Sequence, residues 1–386
     1  MSAIPLADRI TAALYGGAIG DGMGAPVEGQ PPEAIAARFT GVERFLPPTH
    51  GGDPRFGKGD GRITDDTLMT EALVLAYRDH GDHLDAHDAE RFLLPWIAVH
   101  RRWIPEWQRE APSIERLFWP EKWPWIRLHL NHAEPRSAGI GNCVNCGVAM
   151  YMMPVGAVNA GDPQAAYDEA AAFTLFHNES YAVEAGAAMA AAFAAAFAGA
   201  DAAAVAATAR DLARDGTRRC LAAAIAATDP AHDLPTWIRS VRAAVAPFDS
   251  RAVHVSDEAA GSTSVLACAG ANDAERPSRE RSIEELPVAL AALLWGRGDF
   301  LRTLHAAVFY GRDCDSIAGM AAGLFGAIHG SAAIPADLRA ASDTSNRRDF
   351  AALAATLTQT AAAILAKDEA RWSARRAAAQ SRVAIS

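Results

Sequence analysis

The sequence predicts an all-α fold, and three observations carry that expectation. Apolar residues recur at helical spacing through most of the 386 residues. Alternating β-branched runs, which would mark strands, are almost absent. From Pro163 onward the chain is rich in Ala, the strongest helix former.

The elements follow in order. Residues 6–19 carry Ile10, Ala13, Leu14 and Ala18 on one helical face. The glycines from Gly20 onward and Pro26 are expected to break that helix into a turn. Asp21 and Glu28 are the acidic groups of this otherwise apolar turn, which suits a buried or cleft-lining position. An apolar run at 68–77 and a second one at 86–100 (Phe92, Leu93, Trp96, Ile97) read as helices. Residues 101–136 break the pattern with Trp103, Trp107, Trp119, Trp123 and Trp125 among several prolines. That segment is either an irregular cover on the core or an aromatic wall able to stack a planar ring. A loop at 139–147 leads into an apolar stretch at 148–156. Helices are then expected at 168–176, ending at His177 and Asn178, and at 184–200, 202–212, 218–227 and 235–245. Residues 248–284 have no clean period and read as a long loop. Helices follow at 286–295, 300–310 and 316–329, with a final pair at 350–366 and 369–379.

Composition narrows the class. The hydrophobic fraction is 50%, enough for a large core, and the net charge of -10 argues against general nucleic-acid binding. The five cysteines are irregularly spaced and imply no disulfide framework. Cys143 and Cys146 form a C-x-x-C without the further ligands a zinc site needs. No signal peptide is expected, no uncharged apolar run reaches the ~20 residues of a membrane span, and a cytoplasmic protein with no membrane partner follows.

Two acidic clusters carry the chemistry. Thr64, Asp65 and Asp66 precede an apolar helix, and a Gly-rich loop precedes them. As backbone chemistry this is an N-cap with carboxylates in the first turn, where the helix dipole favours negative charge. The same oxygens are the ligands that Mg²⁺ prefers. Asp313, Asp315 and Ser316 repeat the pattern at the start of the 316–329 helix. Together the two helix starts offer enough oxygens for two divalent ions, which at ~3.5–4 Å separation can clamp substrate oxygens and activate water.

With these clusters in place the chain resembles the ADP-ribosylglycohydrolase family. The resemblance rests on Gly20, Asp21, Gly24 and Glu28, on the Thr64-Asp65-Asp66-Thr67 run, on the segment from Cys146 to Tyr151, on Phe176-His177, and on Gly311, Asp313, Asp315 and Ser316. The motifs fall in the family's order over roughly 6–330. The resemblance implies one compact orthogonal helical bundle over 1–386, with 331–386 as peripheral C-terminal helices. It implies two Mg²⁺ ions, or Mn²⁺, held by Thr64, Asp65, Asp66, Asp313, Asp315 and Ser316, where Ser316 replaces the family's Thr. Glu28, Asp65 and Asp66 are the expected acid/base groups, and Asn142, Asn145, Gly147, Met150, Tyr151, His177 and Asn178 the expected substrate contacts. The implied reaction is cleavage at ribose C1 of an ADP-ribosyl adduct on a protein. Tyr151 stands where the family carries Arg, which favours a small ribosylated substrate. A binding protein without activity and a two-metal phosphohydrolase are the rival readings.

Overall fold

The computed structural model describes residues 4–48, 58–248 and 284–383. The irregular stretch expected at 248–284 therefore lies, apart from its two ends, outside the described residues. The N-terminal half holds α1 (Leu6–Gly24), α2 (Pro32–Arg38), α3 (Asp65–His80), α4 (Leu94–Ala98), strands β1 (Arg101–Ile104) and β2 (Arg109–Pro112), and α5 (Trp119–Trp125). The Ala-rich middle forms α6 (Met153–Val158), α7 (Pro163–Phe173), α8 (Ser180–Phe197), α9 (Ala202–Leu212), α10 (Asp215–Ala227) and α11 (Leu234–Val245). After it come α12 (Glu285–Gly296), α13 (Phe300–Phe309), α14 (Cys314–His329), α15 (Ala336–Asn346) and α16 (Phe350–Val383). The all-α expectation holds. Asp162, Asp201, Asp233 and Asp299 each accept a hydrogen bond from a backbone N–H of the first turn of α7, α9, α11 and α13, which fixes where these helices begin.

The centre of the bundle is the antiparallel pair α1 and α14. Gly16, Gly20 and Gly24 recur every four residues on the contact face of α1. A Cβ at these positions would lie 2.1, 2.2 and 2.4 Å from the carbonyl oxygens of Ala322, Ala318 and Cys314. Gly326 of α14 answers, with a Cβ position 2.2 Å from Ala12 O. The glycines thus let backbone rest on backbone. This explains a departure from the sequence reading: α1 does not stop at Gly20 but continues to Gly24. Burial against α14 outweighs the entropic cost of helical glycine, about 1 kcal/mol each.

α8 is long and apolar enough to cross a membrane, yet 78% of it is buried inside the bundle. Its apolar composition is that of a central core helix.

Three further elements differ from expectation. The helix expected at 86–100 is a 3-10 turn at Ala86–Asp88, a π-turn at Ala89–Leu93 and the short α4. Pro95 has no N–H to donate to Arg91, so the regular ladder fails there. The Trp-rich segment contains a β-hairpin, paired from Arg101↔Pro112 to Ile104↔Arg109. Its strands are only four residues each, too short to show a period in sequence. The C-terminal helices are not peripheral as far as Ile364. Phe350, Ala354, Leu357, Ala361 and Ile364 form a fully buried stripe on α16, and Asn346 at the end of α15 accepts from Ile63 N–H and donates to Gly61 O. The two final helices expected from the sequence are one continuous helix.

The close approach of α1 and α14 generates a contrast between neighbouring glycines. Gly20→Ala is expected to destabilise the protein by about 3 kcal/mol, because helix backbones cannot yield as a flexible side chain would. Gly17→Ala, whose Cβ would find Gly319 O at 3.8 Å, is expected to be neutral or to stabilise by up to about 1 kcal/mol. Urea unfolding of both variants measures the difference, and equal effects would count against the backbone contact.

Candidate metal centre

Because α1 and α14 run antiparallel, the C-terminal end of α1 meets the N-terminal end of α14, and the loop before α3 crosses the same place. Gly22 on α1 leaves room for that loop, since its Cβ would lie 2.8 Å from Gly61 O. Asp21 then fastens α3. Its Oδ1 and Oδ2 accept from Thr64 N–H at 3.0 and 2.9 Å, and Oδ2 also accepts from Thr67 N–H at 3.2 Å and Thr67 Oγ1 at 2.5 Å. Thr64 caps its own helix, accepting from Asp66 N–H at 3.4 Å and donating to Asp66 Oδ2 at 3.2 Å. Thr64 and Asp66 are buried, and half-buried Asp65 points toward solvent-accessible space.

The second acidic cluster is placed by the backbone before α14. Arg312 adopts the left-handed conformation at φ 58°. Its guanidinium pairs with both oxygens of buried Glu284 at 2.7 and 2.6 Å, and its carbonyl accepts from Gly29 N–H at 2.8 Å. That clamp carries Glu28 to Asp313.

Two groups of three carboxylates result. Ligand atoms of Asp21, Asp66 and Asp315 lie within 4.8 Å of one another, as do those of Glu28, Asp313 and Asp315. Asp315 belongs to both groups. Asp21 is engaged by the Thr64 and Thr67 hydrogen bonds and so orients α3, while Asp65, Asp66, Asp313, Asp315 and Glu28 line the adjoining cavity. Lys58 lies across the second group, paired with Glu28 and 3.3 Å from Asp315 Oδ2.

The electrostatics are those of crowded negative charge. Burial, then Asp315, pushes the Asp21 carboxyl up to about 7 against the pull of the threonine hydrogen bonds. Burial, then the neighbouring carboxylates led by Asp21, pushes Asp66 well above its usual range. Asp65 is raised by burial, with Lys58 working in the opposite direction. Burial alone would depress Lys58, but Asp315, Asp65 and Asp313 outweigh it and keep the ammonium protonated. Asp66 Oδ1 is buried with no hydrogen-bond partner. An all-oxygen donor set with an orphaned carboxylate oxygen fits hard divalent cations such as Mg²⁺ and Mn²⁺.

A cavity of about 350 Å³ opens on these groups, a size in the range of small-ligand sites. Its floor is Glu28, Lys58, Asp65, Asp66, Asp313 and Asp315, and Ser316 with Cys146 continues it. Cys146 Sγ is 2.9 Å from Asp313 Oδ2 and 3.2 Å from Ser316 Oγ, so both hydroxyl and thiol brace the ligand set. The facing wall is Phe118, Trp119, Pro120 and Glu121 with Cys143, Asn145 and Met150 from the 139–147 loop and its continuation.

The expected substrate residues divide. Asn145 and Met150 line the cavity. Asn142, Tyr151, His177 and Asn178 stand one layer behind it, where they brace the wall instead of facing a ligand. Asn142 Nδ2 donates to Pro120 O and His177 O at 2.9 and 2.8 Å. Tyr151 Oη and His177 Nδ1 are 2.8 Å apart and both residues are fully buried. Asn178 Nδ2 donates to Cys143 O and Asn145 Oδ1 at 2.9 and 3.2 Å. Gly147 leaves space, since its Cβ would lie 2.8 Å from Asn145 Oδ1 and 3.2 Å from Glu121 Oε1. Of the segment's tryptophans Trp119 lines the cavity, while Trp103 stacks under Arg347 and Trp123 donates to Ala138 O. Lys58 and Glu121 join the site without a motif that singles them out, as an isolated Lys or Glu carries no spacing signal, and Cys146 joins it as a single thiol and not as half of a C-x-x-C metal pair.

The raised carboxyl pKa values set a pH dependence. Between 3.8 and about 7 the folded protein holds a proton on Asp21 that the unfolded chain has released, so this stability is lost as pH rises through about 7. His177 acts oppositely: burial holds it down to about 4, and its stability is lost as pH falls below 6.5. Above that value two further groups act in the same direction as Asp21: His83, where burial is outweighed by Glu169 and Asp368 and the ring is held up to about 9, and Glu285, pushed up to about 8 by burial and then Glu284. Thermal unfolding in EDTA is therefore expected to show a lower Tm at about pH 8.5 than at about pH 6.5. Saturating Mg²⁺ is expected to raise Tm most at the higher pH, and an equal shift at both would count against a cation site.

Comparison with known proteins places the chain in a family. A family model described as ADP-ribosylglycohydrolase matches residues 2–371. YegU of Escherichia coli K12, an uncharacterised protein, is 26% identical over 356 residues, covering 89% of this chain and 94% of its own. A solved ADP-ribosylglycohydrolase-related protein complex shares the fold with a TM-score of 0.58 at 20% identity, over 92% of this chain and 99% of that one. With the family match running from α1 through most of α16, the chain belongs to the ADP-ribosylglycohydrolase family.

Proposed function

We propose that this protein is a divalent-metal-dependent hydrolase that cleaves a glycosidic bond at ribose C1. The observation that carries the reading is the pair of carboxylate groups sharing Asp315 at the floor of a ligand-sized cavity. Asp65, Asp66, Asp313, Asp315 and Glu28 would hold two Mg²⁺ or Mn²⁺ ions, with Thr64 and Ser316 hydroxyls beside them. Bound there, the ions supply positive charge to ribose hydroxyls and lower the pKa of a water molecule toward neutrality.

The chain's own groups do the rest. Asp65, half-buried and at the cavity surface, is placed to take the proton of an attacking water. Departure of the aglycone leaves positive charge on the ribose ring, as in other glycoside cleavage, and the carboxylate floor stabilises it. Trp119 and Phe118 exclude water from one side. The family relationship supports an ADP-ribosyl adduct as substrate. The buried Tyr151–His177 pair, in place of an arginine at the cavity, supports a small ribosylated compound as the second reading.

Incubation with Arg- or Ser-ADP-ribosylated protein and with small ribosides, each with Mg²⁺ or Mn²⁺, tests the proposal by release of free ADP-ribose or ribose. Asp65→Asn and Asp315→Asn are expected to lower kcat/KM roughly a thousandfold, equivalent to about 4 kcal/mol. Phosphate release without a free ribose product would favour a phosphohydrolase instead. Metal-independent turnover would overturn the reading.

A further inference from the structure

Glu121 belongs to neither carboxylate group, yet it is the most deeply buried acid on the cavity wall. It is 1% exposed, and it forms no salt bridge among the described residues. Glu121 stands at the third position of α5, near the N–H groups of that helix's first turn. Oε2 has no hydrogen-bond partner. A buried oxygen left in this way is destabilising unless something pairs with it.

Its surroundings describe what would pair. Phe118 and Trp119 precede it in the chain and line the same cavity. Trp119 is 54% exposed although it borders a cavity, and its ring meets Trp123 edge-on at 5.9 Å between ring centroids. An indole standing open over a cavity is a stacking platform. On the other side Asn145 Oδ1 is engaged by Gly147 N–H and Asn178, so the part of its amide not taken up by these bonds is the NH₂. The absence of a side chain at Gly147 lets the Asn145 and Glu121 head groups converge. A flat aromatic platform with a carboxyl and an amide at its edge fits a flat molecule whose rim alternates hydrogen-bond donors and acceptors. Planar nitrogen heterocycles have that rim, and the carboxylate floor lines the same cavity.

We infer that Phe118, Trp119 and Glu121 form a leaving-group subsite for a planar nitrogen heterocycle attached to ribose C1, with Glu121 donating a proton to the departing ring, so that the substrate class is a ribonucleoside-type N-riboside. The inference rests on the proposed C1 hydrolysis and names its aglycone. In the step, water oxygen bonds to C1 and its proton passes to the Asp65 carboxylate. The C1–N bond breaks with its electron pair going to the ring nitrogen, and the proton on Glu121 moves to the heterocycle. Proton return from Asp65 through solvent restores Glu121, and the products are ribose and the neutral base. Burial pushes the Glu121 carboxyl above its usual range, in the direction that favours the protonated form.

The test separates leaving groups. Wild type and Glu121→Gln are assayed with Mg²⁺ or Mn²⁺ on inosine, adenosine and uridine, and on 4-nitrophenyl β-D-ribofuranoside, whose phenolate departs without protonation. Glu121→Gln is expected to lose about a hundredfold or more in kcat on the nucleosides, and less than about threefold on the nitrophenyl riboside. Equal losses on both, or none on either, overturn the acid role. Calorimetry with free hypoxanthine and adenine reads the subsite without turnover: Trp119→Ala is expected to weaken binding about tenfold, and no measurable binding of either base to the wild type overturns the subsite. Release of ADP-ribose from modified protein with no nucleoside cleaved sinks this inference and leaves the C1-hydrolase reading standing. No release from any ribosyl compound, with base binding intact, sinks the hydrolase reading instead.

Discussion

The antiparallel contact of α1 with α14, backbone against backbone, is what the rest of the molecule depends on. Glycines at 16, 20 and 24 set it, since any side chain there would overlap a carbonyl oxygen of the partner helix. An antiparallel pair held this tightly has a fixed register. The last turn of α1 must therefore lie beside the first turn of α14, and Asp21 beside Asp315. The loop crossing Gly22 brings α3 to the same point, and Asp21 ties it down through Thr64 and Thr67. Three helix ends meet because one pair of helices cannot slide.

That meeting concentrates negative charge where burial penalises it. The cost is spread over several devices. Helix N-termini at α3 and α14 stabilise the acids in their first turns. Threonine donors satisfy Asp21. The Lys58 ammonium lies between Glu28 and Asp315, and the Cys146 thiol reaches both Asp313 and Ser316. Asp66 still keeps an unpaired buried oxygen. A fold selected for stability alone would replace such a cluster with apolar groups. Its persistence at the floor of a cavity marks it as chemistry.

The wall opposite is built differently. It comes from short, proline-rich and loop segments, Phe118–Glu121 and 139–147, and polar side chains behind it hold it in place. Asn142 ties the two segments together, and the buried Tyr151–His177 pair with Asn178 backs them. Floor and wall thus have separate origins. The floor is fixed by helix packing, and the wall by hydrogen bonds between short segments.

The sequence by itself determined the helical class, the helix starts at Asp65 and at Cys314, and the acidic residues Asp65, Asp66, Asp313 and Asp315. These are local signals: apolar period, capping chemistry and carboxylates in a first turn. It also made the C1-hydrolase reading available through motifs in a known order. Only the tertiary structure decided that the glycines after Gly17 continue a helix, because their compatibility with helix depends on a partner backbone far along the chain. It decided that α15 and the first half of α16 belong to the core, since Asn346 and Leu357 reveal nothing until Gly61 and α3 are beside them. It moved Tyr151 and His177 from the ligand to the layer behind it, and brought Lys58, Trp119 and Glu121 forward. Burial and facing are properties of what a residue packs against, and for these residues every relevant neighbour is distant in sequence.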